Sequence, residues 1–151
     1  MNQNKTFDLK AYSFLLTAFI PPAVVLFTHL FRHGLWPELT YLDVVAHFAG
    51  GFAIAWMGMI LIKGLRKTEL IPTNTPHWFT DYTVLGTVLI AGVFWEFMEW
   101  GADTFLGTTT QFTIPETMGD LMMDFLGGLL FLIIVIAMRV FARKTKLHQE
   151  E

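Results

Sequence analysis

Apolar positions run in four long stretches along this chain, about residues 11–31, 42–63, 82–102 and 118–141. Each is long enough to cross a bilayer as a helix, which takes about 20 residues. Polar positions gather at the ends of the stretches and in the short connections between them. The pattern predicts an all-α polytopic membrane protein with four transmembrane helices. Residues 1–151 form a single domain, because the connections are too short to hold a second folded unit. Local signals punctuate the stretches. Pro21-Pro22 removes two backbone donors and predicts a kink in the first. Asp81 reads as the N-cap of the third. Thr113-Ile-Pro-Glu116 opens the fourth as a capping box with proline in the first turn. The first stretch is long for a signal-peptide core and lacks a small-residue cleavage site, so it reads as a retained helix.

Composition agrees with a bilayer environment. The chain is 54% hydrophobic and 15% charged, with a mean hydropathy of +0.51, which is too apolar for an ordinary soluble domain. The distribution of charge then sets orientation. Nine of the ten Lys and Arg residues fall at the N-terminus (Lys5, Lys10), between stretches two and three (Lys63, Arg66, Lys67) and at the C-terminus (Arg139, Arg143, Lys144, Lys146). Only Arg32 falls on the opposite face. Basic residues favour the cytoplasmic side, so both termini are expected inside, N-in and C-in. Eight of the thirteen acids fall on the other side: Glu38, Asp43, Glu96, Glu99, Asp103, Glu116, Asp120 and Asp124. The net charge of −3 hides this segregation and points to no nucleic-acid partner; membrane lipids are the expected surroundings. The absence of cysteine excludes a disulfide framework and a thiolate metal site.

The acids on that outer side are spaced for chemistry. Asp43 and His47 are four apart and stack on one helix face. Glu96, Glu99 and Asp103 share a face at spacing 0, 3 and 7, and Glu116, Asp120 and Asp124 nearly do at 0, 4 and 8. At a rise of about 1.5 Å per residue, His47, Glu96 and Asp124 should lie at similar depth, roughly 6–10 Å below the helix ends. Glycines fall on the same faces: Gly50 and Gly51 after His47, Gly92 before Glu96, Gly127 and Gly128 after Asp124. Small residues mark close helix approach in membranes, so the acidic stripes should point into the bundle.

Carboxylates concentrated in a membrane need either protons or a cation. Mixed with imidazole they suit Zn²⁺, Mn²⁺ or Fe²⁺ better than Mg²⁺ or Ca²⁺, which prefer all-oxygen shells. Asp43, His47, Glu96, Asp103, Glu116 and Asp124 are the candidate metal ligands, with Glu99 and Asp120 as candidate general bases. Plainer readings stand beside these. Asp43 and Glu116 also suit helix caps; Glu99, Asp103 and Asp120 also suit a solvated interface. His29 and His33 lie near the same end of the first stretch without a clear partner.

Three blocks, Asp43-Val-Val-Ala-His47-Phe, Phe94-Trp-Glu96-Phe-Met-Glu99-Trp and Glu116-Thr-Met-Gly-Asp120-Leu-Met-Met-Asp124, resemble those of small YjdF-type bacterial inner-membrane proteins. They are more loosely similar to the VanZ-like family associated with glycopeptide resistance. The resemblance covers stretches two to four. It implies one shared site in a bacterial or archaeal cytoplasmic membrane but does not name a reaction. Here Glu116 stands where the family pattern has Asp.

The combined expectation is an outward-facing carboxylate/histidine site holding a divalent metal. Its use would be metal-dependent chemistry on a lipid-linked or envelope substrate. A cation or proton transporter and a non-catalytic envelope-stress factor are the alternatives. No nucleophile motif or phosphate loop accompanies the acids, and a homo-oligomer is compatible with the pattern.

Overall fold

The structure is a computed structural model that describes residues 16–35, 41–111, 113–147 and 149. Among them it is all-helical: α1 Ile20–Leu35, α2 Tyr41–Lys67, α3 His77–Leu106 and α4 Ile114–Leu147. At about 1.5 Å per residue, the 27, 30 and 34 residues of α2, α3 and α4 span roughly 40–50 Å. These three are long and apolar enough to cross a hydrocarbon core of about 30 Å. They run past the edges read from hydropathy, because amphipathic turns at each end continue the helix beyond the apolar stretch.

The first stretch breaks where its prolines predict. Leu16 and Thr17 are helical, Ala18 and Phe19 form a turn, and α1 resumes at Ile20, just before Pro21-Pro22. Pro21 and Pro22 thus sit in a first turn, where a missing N–H costs nothing. The 16 residues of α1 reach only about 24 Å. Residues 11–15 of this stretch lie outside the described residues, as does Glu38.

Asp81 departs from expectation. α3 begins four residues earlier, with Pro76 in the N-cap position and no side-chain cap. Proline suits that place because it needs no donor. Asp81, one turn inside, instead accepts a 2.7 Å hydrogen bond from Arg139 of α4. Beside it, the Arg66 guanidinium of α2 donates to the Thr80 hydroxyl and to the Thr75 carbonyl, the latter at 3.3 Å. At the other end Thr113 caps α4 as read, its hydroxyl accepting the Glu116 N–H at 3.4 Å, which is one of the two bonds of a capping box.

α2 is the centre of the bundle. It packs most extensively on α4 and also contacts α1 and α3, while α3 packs on α4. Successive long helices are antiparallel, so one end of the bundle carries Lys63, Arg66 and Arg139, and the other carries the acids. The closest approach is α2 against α4. A methyl on Gly51 would overlap the Asp124 carbonyl oxygen, and one on Gly127 would overlap the Phe48 carbonyl oxygen. Only glycine lets the two backbones meet at this distance.

The interior has two halves. Toward the basic end it is an apolar core of Ala55, Met59, Val84, Val88, Phe131 and Leu132, with Phe52 and Phe131 edge to face. Toward the acidic end the buried side chains are polar. Large apolar residues, Phe94, Phe97, Met98 and Ile133 among them, are turned outward. A soluble protein rarely exposes so much contiguous apolar surface; a lipid-embedded one must.

Candidate carboxylate and histidine centre

Helical spacing builds most of the centre. His47 stands one turn after Asp43 on α2, Glu99 follows Glu96 on α3, and Asp124 follows Asp120 on α4. The glycine contacts draw these faces together. His47 and Glu96 are each only 5% exposed, Asp120 6% and Asp124 7%. Asp43 and Glu99 are half-buried.

His47 is the hub. Asp43, His47 and Asp120 offer ligand atoms that all lie within 4.8 Å of one another, and so do His47, Glu96 and Glu99. Nδ1 of His47 faces Oδ2 of Asp124 at 3.4 Å. The Asp124 carboxylate is wedged between two glycines. A methyl on Gly92 would come within 2.6 Å of Oδ2, and one on Gly50 within 3.7 Å of Oδ1. Glu99 accepts a 2.9 Å hydrogen bond from the Trp95 indole on its own helix. Glu96 Oε2 accepts a 3.0 Å bond from the Gln111 carboxamide, whereas Oε1 is buried with no hydrogen-bond donor among the described residues. The described Lys and Arg side chains all lie at the opposite end of the bundle. Five carboxyls therefore converge on one imidazole, away from those cations.

Two of the expected ligands stand apart from this convergence. Asp103 is engaged by the loop after α3: it accepts from the Thr108 hydroxyl (2.5 Å), the Thr110 N–H and hydroxyl, and the Gln111 N–H (2.8 Å). That loop starts at Gly107, whose φ of 72° ends the helix in the left-handed form. Glu116 is half-buried at the start of α4 and belongs to neither ligand group. In their place the structure brings in Glu99 and Asp120, the two acids first read as general bases. Asp124 joins through His47 without belonging to either group. The side chains of His29 and His33 lie outside the described residues.

Sequence reasoning missed two members. Trp95 was legible, since it sits four residues before Glu99 on the same face. Gln111 carried no signal: it is uncharged, in a loop, and brought to Glu96 only by the turn that Asp103 organises.

On the side toward the basic end, the His47–Asp124 pair borders a cavity of about 240 Å³ between α1 and α3, floored by α2. Its walls are mainly apolar, with Pro22, Val25, Leu26, Ile54, Val88 and Ala91 among them. The polar centre thus adjoins a hydrocarbon-like chamber.

No curated protein and no solved structure matches the chain. A family model described as "Predicted membrane protein (DUF2238)" matches residues 4–140. With nearly its whole length covered, and with three helices suited to a bilayer, the chain belongs to the DUF2238 family of predicted membrane proteins.

Proposed function

We propose that this protein binds a divalent transition metal at His47. The observation that carries the reading is Glu96, a carboxylate 95% withdrawn from solvent that keeps one buried oxygen without a protein donor, beside His47 and Glu99. A buried carboxylate oxygen in that state calls for a proton or a cation. Its neighbours are an imidazole and further carboxylates, a donor set suited to Zn²⁺, Mn²⁺ or Fe²⁺. Asp124 supports the same reading. A histidine that ligates a metal commonly gives its other ring N–H to a carboxylate, which fixes the tautomer. With Nδ1–H toward Asp124, His47 presents the Nε2 lone pair as ligand. Asp124 then orients the ligand, and Asp43, Glu96, Glu99 and Asp120 supply oxygens.

The wider reading follows from the surroundings of the site. Basic residues at one end and acids at the other favour a four-span N-in, C-in topology in a cytoplasmic membrane, with the site facing outward. We place the chain with the YjdF-type proteins. The apolar cavity beside a polar centre suits an amphiphile whose headgroup meets the metal and whose chain stays in the hydrocarbon. A bound metal would polarise an ester or phosphoryl oxygen and lower the pKa of a water. A transport route is less well supported. No Asp, Glu, His, Lys or Arg lies between Asp81 and Glu96 on α3, or between Asp124 and Arg139 on α4. The hydroxyls of Thr83 and Thr87 in that half bond back to their own helix at 2.8 and 2.9 Å. Charge crossing that half unaided would cost several kcal/mol.

Protein purified in mild detergent, stripped of metal and titrated with Zn²⁺ and Mn²⁺, tests the reading. Wild type should bind one of them, and Glu96→Gln should weaken binding by more than about tenfold while still inserting. Wild-type protein that binds neither would replace the metal with protonated carboxyls.

A further inference from the structure

We propose that Gln111 is a positioning residue for Glu96, held in place by Asp103, and that together they leave Glu96 one oxygen with which to bind. Both hydrogens of the Gln111 carboxamide are engaged. Nε2 donates to Glu96 Oε2 at 3.0 Å and to the Thr117 hydroxyl at 3.0 Å. The amide therefore bridges the end of α3 to the start of α4 across the polar centre. A carboxylate only accepts, so the contact needs the NH₂ side of the amide, and the bond to Thr117 is consistent with it. Loop residues seldom hold a side chain this firmly, and here the backbone explains it. Asp103 accepts the N–H groups of Thr110 and of Gln111 itself, at 2.9 and 2.8 Å, together with two threonine hydroxyls. Four donors on one carboxylate fix the segment from Thr108 to Gln111 against α3. The consequence falls on Glu96. Its Oε2 is occupied by the amide, and its buried Oε1 is the oxygen without a donor among the described residues. Glu96 then binds a metal through one oxygen, not two. Asp103, expected as a ligand from spacing, acts two steps removed: it holds the loop, the loop holds Gln111, and Gln111 aims Glu96.

The metal part of this inference rests on the metal reading above; the hydrogen bond itself does not. Infrared difference spectroscopy on metal-free protein separates the two. The Glu96 band, in the carboxylate or the protonated carboxyl region, is identified by its loss in Glu96→Gln. Removing the amide in Gln111→Ala should shift that band, and Asp103→Asn should shift it in the same direction, with the helical content of both variants unchanged. A band that Gln111→Ala leaves in place overturns the inference. Titration with Zn²⁺ then reads the consequence. Gln111→Ala should bind about tenfold more weakly than wild type, the size typical of losing an outer-shell partner. Wild-type affinity in Gln111→Ala would overturn the positioning role while leaving the metal reading intact. Failure of wild type itself to bind Zn²⁺ would remove that reading, and the band shift would still decide the contact.

Discussion

Two glycines separate packing from chemistry at the level of single residues. A methyl at Gly51 meets a main-chain atom, the Asp124 carbonyl, so α2 and α4 would have to move apart. A methyl at Gly92 meets the far end of a side chain, Asp124 Oδ2, which can rotate away. Gly51→Ala should therefore destabilise the bundle by about 1–3 kcal/mol or more, as overpacking does. Gly92→Ala should cost less stability but displace the carboxylate that orients His47, and so weaken metal binding. Thermal unfolding in detergent, run beside a Zn²⁺ titration of each variant, checks the contrast. Equal losses of stability in the two variants would contradict it. The same scale explains why Asp103 stands apart from the centre. A spacing of 0, 3 and 7 puts Glu96, Glu99 and Asp103 on one face, and the structure does so. But a residue near a helix end can be claimed by the following loop, and four hydrogen-bond donors from that loop claim this one.

Whole elements were legible where hydropathy and helical period agree. α2, α3 and α4 lie where the apolar stretches fall, and their inward faces are the ones marked by Gly51, Gly92, Gly127 and Gly128. The convergence of His47, Glu96, Asp120 and Asp124 followed from those faces alone. Element ends were harder to read. Asp81 has the chemistry of an N-cap, but Pro76 starts the helix and Arg139 takes the aspartate. Arg139 is 58 residues away in sequence, and no local signal reports such a partner. In the first stretch the break was legible, because proline reports it locally. Two adjacent prolines lack the N–H groups that would bond one turn back, so the helix fails just before them. Here the turn at Ala18–Phe19 lets α1 begin at Ile20 and lie against α2.

For the whole molecule, the segregation of charge is the organising feature. The basic end is tied by Arg139 to Asp81 and by Arg66 to Thr80, while the acidic end holds the buried centre. An N-in, C-in arrangement places Thr73, in the connection after α2, inside the cell and Thr109, in the loop after α3, outside. Single cysteines are clean probes, since the chain has none of its own. In intact cells an impermeant thiol reagent should label Thr109→Cys and spare Thr73→Cys until the cells are opened. Labelling of both positions, or of Thr73→Cys alone, would invert or break the topology.

The central claim is that a metal sits on His47 among carboxylates within the bundle. X-ray absorption at the zinc edge of zinc-loaded protein tests it most directly. The account predicts a single imidazole nitrogen at about 2.0–2.1 Å, with its outer-ring scattering, and a remaining shell of oxygen at about 2.0–2.2 Å. The imidazole signature should disappear in His47→Ala. A spectrum of oxygen alone from wild-type protein, or an imidazole signature that survives in His47→Ala, would contradict it.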